Sequence, residues 1–203
     1  MKALYADILG RTVDSGGMDT WTNQILITGS AGTTATGLST SNERLTVFVA
    51  AQYLAALHRD PEPPGLAFWV LKLQSGWTVP DLQAGIYGSD ESLMVLGNGN
   101  LNQWIAAMYS SLLGRTAGPG EVAWWADYSA RNGRQATVAG ISHSEEAARV
   151  RLTAYYQTML GRDPDGAGIA SFVPVLMQGR GDILVPVYIG QSTEYWARAQ
   201  TRF

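Results

Sequence analysis

Four arginines, Arg11, Arg59, Arg115 and Arg162, stand in the same surroundings. A tyrosine lies six residues before each (Tyr5, Tyr53, Tyr109, Tyr156) and a leucine two before (Leu9, Leu57, Leu113, Leu160). Ten residues after each comes a large ring, Trp21, Trp69, Trp125 or Phe172. A Ser-x-Glu follows, at Ser41/Glu43, Ser89/Glu91, Ser144/Glu146 and Ser192/Glu194, and its serine lies 30, 30, 29 and 30 residues beyond the arginine. The gaps between arginines are 48, 56 and 47. A period held four times limits the fold more than composition does, because units of this size bury their apolar faces only against one another.

The unit reads as helical. In "SNERLTVFVAAQYLAAL", a serine in the N-cap position and acid in the first turn precede Leu45, Phe48, Val49, Tyr53, Leu54 and Leu57, spaced as on one face of an amphipathic helix. "HRDPEPPG" breaks it, "LAFWVLKLQSG" forms a shorter helix that ends at glycine, and "VPDLQAGIYG" leads to the next Ser-x-Glu. The expected fold is all-α: an array of four repeats of about 50 residues, each of about three helices. The repeats fall at 1–43, with a truncated leading helix, 44–91, 92–146, and 147–203 with an extra C-terminal helix. A Gly/Asn-rich insertion at 94–103 lengthens the third and is the expected linker between two pairs of repeats. The C-terminal "STEYWARAQTRF" reads as half a leading helix, which could pack on the first unit, complete a neighbouring molecule, or belong to a longer array.

"LYADILGRTVDSGGMDTW", "YLAALHRDPEPPGLAFW", "MYSSLLGRTAGPGEVAWW" and "YYQTMLGRDPDGAGIASF", each followed by Ser-x-Glu, resemble the bacterial repeat family catalogued as domain of unknown function 4214. The resemblance covers nearly the whole chain. It implies helical modules of large secreted or surface-layer-like bacterial proteins, often beside calcium-binding repeats and occasionally attached to sugar-handling enzymes, and it carries over no catalytic residue. The chain departs from the pattern where His58 replaces the glycine of Leu-Gly-Arg, Gly118 stands for an acid, Phe172 replaces tryptophan, and Pro174 and Pro186 are expected to interrupt later helices.

What recurs in every unit serves the unit. Tyr5, Tyr53, Tyr109 and Tyr156 with the four rings are expected in the core. The arginines are expected to pair with a carboxylate, the Ser-x-Glu of the same unit being the natural partner, in preference to an anionic ligand. Asp163 and Asp165 raise calcium, as do Asp14, Asp60 and Glu62 at similar points, yet "GAGIASFVPVL" after Asp165 lacks the remaining oxygen ligands. A cap on the next helix, with glycine permitting a tight corner, is the preferred reading, and no cofactor is expected.

Rings outside the shared slots are freer to bind: Trp77, Trp104, Trp124, Tyr128 and Trp196 are the ligand-binding candidates, with Tyr87, Tyr155 and Tyr195 beside them. Aromatic faces stack on sugar C–H surfaces and anchor protein interfaces. His58 and His143 are the only histidines and show no ligand or triad spacing, "HSEE" at 143–146 reads as a cap, and with no cysteine there is no thiolate chemistry. A net charge of -3 gives no basic surface for nucleic acid, and neither an 18-residue apolar run nor a classical signal peptide is present.

The resulting expectation is a non-enzymatic module, extracellular or on a bacterial cell surface, for attachment or assembly. Its favoured partner is a glycan or surface polymer. The alternative is a scaffold of a surface layer or filament that binds copies of itself, and an uncharacterised hydrolase ranks third.

Overall fold

The computed structural model describes residues 1–28, 31–179 and 181–202, and they form an all-α protein with no strand among them. The first helices are α1 (Lys2–Leu4), which continues as a π-helical turn over Tyr5–Leu9, then α2 (Ser15–Thr28), α3 (Ala31–Ser39) and α4 (Asn42–Leu57). The middle of the chain holds α5 (Pro63–Gln74), α6 (Val79–Tyr87), α7 (Asp90–Gly97) and α8 (Leu101–Met108), the last continuing as a second π-helical turn over Tyr109–Leu113. There follow α9 (Pro119–Asn132), α10 (Arg134–Ser142), α11 (Glu145–Leu160), α12 (Gly166–Met177), α13 (Gly181–Gln191) and α14 (Thr193–Arg202). Each anchor arginine stands just past the end of one helix and is followed by two more.

The Ser-x-Glu motif starts helices. Ser41, Ser89, Ser144 and Ser192 each accept a backbone N–H three residues on, at 3.1 Å, which satisfies a donor that the first turn leaves without a partner. Where the helix ends, Gly10, Gly114 and Gly161 turn the chain at φ 70°, 67° and 70°, and His58 does so at 54°. The corner therefore belongs to the glycine of Leu-Gly-Arg, which no side chain replaces without strain. The glycine six residues after the arginine has another task. Gly17, Gly65 and Gly168 lie in the first turn of the next helix, where the tyrosine hydroxyls of Tyr5, Tyr53 and Tyr156 take the space of a Cβ.

The chain divides into two compact units, one of Met1–Val47 with Arg151–Phe203, the other of Phe48–Val150. In the first, α3 packs most extensively on α13, around a core that includes Leu4, Leu38, Leu152, Leu176 and Tyr195. In the second the main pair is α6 with α10, over Leu82, Ile86, Trp104, Ile105 and Ile141. Small residues in "GTTATG" and "QATVAG" let these pairs approach closely.

The expected linker at 94–103 is instead internal to the second unit. Asn98 and Gly99 adopt φ 49° and 76°, a tight turn that folds α8 back on α7, and Trp104 is 0% exposed between them. The segments expected as second and third repeats lie mainly in one unit, and those expected as first and fourth mainly in the other. Pro174 and Pro186 lie inside α12 and α13 and do not end them. Pro186 supplies no N–H to the Asp182 carbonyl one turn earlier, and the Tyr155 hydroxyl approaches that oxygen at 3.4 Å.

Candidate functional site

The four anchor arginines build the same clasp. Arg59 donates from Nε and Nη2 to the two carboxylate oxygens of Glu91 at 2.5 and 2.9 Å, and Arg162 does the same to Glu194 at 2.5 and 2.8 Å. Arg11 grips Glu43 and Arg115 grips Glu146 with the same two nitrogens. Their Nη1 groups donate to the following backbone carbonyls, of Thr12, Asp60, Thr116 and Asp163. Each guanidinium also lies about 5 Å from the ring centroid of its tyrosine: 5.0 Å over Tyr5, 5.3 Å over Tyr53, 4.9 Å over Tyr109 and 5.2 Å over Tyr156. The indole N–H groups of Trp21, Trp69 and Trp125 donate to those hydroxyls at 2.9, 3.2 and 2.7 Å in the first three cases. Phe172 has no such donor. These arginines are spent on helix-to-helix bonds in half-exposed positions, with five or so contacts apiece.

A second acid completes each clasp. Asp14, Glu62 and Asp165 stand three residues after the arginine, at 3.2, 2.6 and 3.4 Å from it. Asp14 and Asp165 also cap the next helix through the N–H of Gly17 and Gly168, at 2.7 and 2.8 Å, whereas the Glu62 side chain makes no cap bond. In the third segment, where Gly118 replaces the acid, Glu121 reaches back three residues to the Gly118 N–H at 2.8 Å and holds Arg115 at 2.7 Å. Arg115 with that N–H holds the Glu121 carboxyl down at about 2. The arginine partner likewise lowers Glu43, Glu91 and Glu194, while Asp14 is lowered first by the Gly17 N–H. Asp163 accepts from Gln157 at 2.9 Å, so "RDPDG" is bound up in cap and clasp. The described residues contain no cluster of three or more His, Asp or Glu able to hold a metal ion.

The non-recurring aromatics differ in burial. Trp104 belongs to the core, since its indole N–H donates to the Tyr87 carbonyl and the Ser92 hydroxyl at 3.2 Å each and no face is left for a ligand. Tyr87 and Tyr195 are buried as well. Trp124 is 57% exposed and stacks on Tyr128, 5.4 Å and 15° apart, one turn along α9. Trp196 lines a shallow cleft of the first unit with Met1, Lys2 and Met18.

Trp77, 40% exposed, lies in an aromatic cleft, an opening of about 500 Å³ in the second unit. Phe68 and Trp69 join it from α5, Asp81 from α6, and Gln135 from α10. Trp69 and Trp77 meet edge to face at 6.2 Å, and Lys72 holds its ammonium 4.5 Å above Trp77. The Asp81 Oδ2 atom is occupied by Thr78, accepting from its N–H at 2.9 Å and its hydroxyl at 2.6 Å. Oδ1 faces His143 across 3.8 Å. The cleft thus offers apolar ring surface beside a carboxylate oxygen and a carboxamide, with the Lys72 ammonium over the Trp77 ring. Phe68, Asp81 and Gln135 escape sequence reading because nothing in their spacing announces a shared surface. Only the fold brings 68, 81 and 135 together.

The family described as Domain of unknown function (DUF4214) matches residues 34–96, a stretch that includes the clasp of Arg59 with Glu91. No curated protein and no solved structure matches the chain. Among the described residues no helix is long and apolar enough to cross a membrane.

Proposed function

We propose that the chain is built of four tandem units of the kind matched at 34–96 and serves as a non-enzymatic attachment module of a bacterial surface or secreted protein, holding a glycan in the cleft around Trp77. The family match supports one unit, and the recurrence of the clasp at Arg11, Arg115 and Arg162 supports extending it to the others. The observation that carries the ligand class is the cleft itself: a half-exposed indole, two further rings, and polar groups from two other helices converging on about 500 Å³. Sugar rings need this combination, an apolar face to stack against and convergent acceptors and donors for their hydroxyls. With Lys72, Asp81 and Gln135 as its polar groups, the cleft suits an uncharged glycan.

The second reading is a scaffold assembling through its repeat ends. The observation that bears on it is the seat of α14, where the Tyr195 hydroxyl donates to Asp7 at 3.0 Å and Arg202 donates to both Asp7 oxygens at 2.9 Å. Exchange of ends between molecules would have to break these bonds, which ranks this reading below glycan binding.

A glycan array run with calcium and with chelator, followed by titration of the best ligand, tests the proposal. Trp77→Ala is expected to lower affinity at least tenfold while the melting temperature holds. Binding that survives both Trp77→Ala and Trp124→Ala would remove the proposed site, and concentration-dependent assembly abolished by deleting residues 192–203 would favour the scaffold.

A further inference from the structure

One acceptor of the cleft around Trp77 can be turned on and off. Asp81 stands in the first turn of α6, and its Oδ2 atom is committed to the Thr78 N–H and hydroxyl in the cap of that helix. Oδ1 is the oxygen left for a ligand hydroxyl. It faces the His143 Nε2 atom across 3.8 Å, too far for a hydrogen bond and near enough for an ion pair. Both residues are departures from the repeat. Immediately before the Ser-x-Glu serines stand Thr40, Gly88, His143 and Gln191, and eight residues before them stand Thr33, Asp81, Ala136 and Leu184. The other segments thus do without an acid or an imidazole at these places, and the repeat itself does not require the pair. Packing brings the two together. α6 lies on α10, and His143 ends α10 with its N–H bonded to the Ala139 carbonyl at 2.9 Å. Ala139 lines the cleft, and His143 follows it one turn later.

The other charged groups on the elements around His143 are answered elsewhere. Asp81 is the one charged residue of α6, whose Tyr87 is buried. On α9, Glu121 holds Arg115, Asp127 holds Arg131, and Tyr128 stacks on Trp124. On α10 itself Arg134 pairs with Asp90. In the first turn of α11, Glu145 pairs with Arg149 and Glu146 with Arg115. The carboxylate that His143 meets is therefore that of Asp81. Histidine is the side chain that changes charge between about pH 5 and 8, and once protonated it donates from both ring nitrogens. An approach of about 1 Å turns the contact into a charge-assisted hydrogen bond to Oδ1. Asp81 then has both oxygens engaged within the protein.

We propose that His143 is a proton-operated positioning residue of the Trp77 cleft: on protonation it takes the Asp81 Oδ1 atom and weakens the hold on an uncharged glycan. The proposal rests on the glycan reading of that cleft. Stacking on the rings does not pass through Asp81, so acid lowers the affinity without abolishing it. Attachment holds near neutrality and loosens as the medium acidifies. The His143 and Asp81 side chains are 41% and 43% exposed, which sizes the effect as that of a surface ion pair. Such a pair changes affinity about threefold.

Calorimetric titration of the full chain with cellotetraose, maltotetraose and tetra-N-acetylchitotetraose, at about pH 8 and about pH 5.5 and constant ionic strength, reads the affinity across the histidine range. A sugar that binds should bind about threefold more weakly at the lower pH. His143→Gln should bind it equally at both, and His58→Gln, which changes the other histidine, should keep the parent's dependence. Carboxylate-carbon NMR of the protein without sugar gives a second readout. The Asp81 signal should shift across this range in the parent and stay nearly still in His143→Gln. Affinity that is flat with pH in the parent, or a loss in acid that persists in His143→Gln, overturns the inference, as does an Asp81 signal indifferent to His143→Gln. If none of the three sugars binds, the glycan reading is what fails, and the Asp81 signal alone decides whether His143 controls this oxygen: a shift lost in His143→Gln upholds that control, and no shift overturns it.

Discussion

Phe172 and Tyr188 face each other with ring centroids 6.0 Å apart, at two positions where the other three segments place a tryptophan and a glycine. Trp21 lies over Gly37, Trp69 over Gly85 and Trp125 over Gly140, and a Cβ built on Gly140 would stand 2.7 Å from the indole. The fourth segment makes the ring smaller and its bed larger, keeping the space between α12 and α13 filled. Gly140→Ala is therefore expected to destabilise by about 1–3 kcal/mol through overpacking. Trp125→Phe in the same chain should recover part of that loss. Denaturant melts of the two single variants and the double should give a coupling above about 0.5 kcal/mol, and simple additivity would show that the ring and the glycine do not share a space.

His58 has an exposed side chain and a left-handed backbone, φ 54°, where its three counterparts are glycines. The cost lies in the backbone, which a side chain at positive φ strains wherever its ring points. His58→Gly is expected to stabilise by about 1 kcal/mol, or about 2–4 °C in melting temperature. His58→Ala should bring no such gain, because alanine meets the same clash at positive φ. Equal gains from both would place the effect in the imidazole instead.

The clasp was legible in the sequence because Tyr, Arg and Glu recur at fixed offsets, and a side chain that must meet the same partner in four places leaves a period behind. The glycine under each tryptophan left one too, 26 residues after the arginine at Gly37 and Gly85 and 25 at Gly140, but in a chain with 23 glycines it does not stand out. The Gly/Asn-rich segment read as a linker because composition reports a break in a helix and not where the two halves go. Asp7, Tyr195 and Arg202 meet across nearly the whole length of the chain, and the cleft around Trp77 draws on three helices; neither follows from local pattern, since only tertiary packing sets those distances. Ring exposure was equally hidden. Trp77, Trp104 and Trp124 look alike in sequence, and their burial is decided by which side of the helix the neighbouring helices cover.

That difference in burial separates the two kinds of tryptophan in stability. Trp104 fills the space between α7 and α8 and bonds Tyr87 and Ser92, so Trp104→Ala should cost about 3–5 kcal/mol. Trp124, held by its stack on Tyr128, should cost about 1 kcal/mol when it becomes alanine. Urea denaturation of the two variants, read at the midpoint with unchanged slope, checks the ordering. A Trp124→Ala loss as large as that of Trp104→Ala would mean that the stacked pair on α9 supports the core and is no free surface for a ligand.

The third clasp should also be the most sensitive to acid. Arg115 and the Gly118 N–H lower the Glu121 carboxyl from 4.5 to about 2, so the folded chain binds this proton less readily than the unfolded chain. A lowered carboxyl contributes its stability above the unfolded value and loses it as pH falls toward the folded one. The relevant window runs from about 4.5 down to about 2. Glu121→Gln keeps the shape of the side chain and removes its charge. Its melting temperature should lie below that of the parent at pH 7, and the gap should narrow steadily across that window as the parent loses the same charge. Thermal melts of both proteins at pH 7, 4.5 and 3 supply the comparison. A gap that stays constant from pH 7 to 3 would mean that Glu121 acts through its hydrogen bonds alone, and that the charge on Arg115 is answered by Glu146.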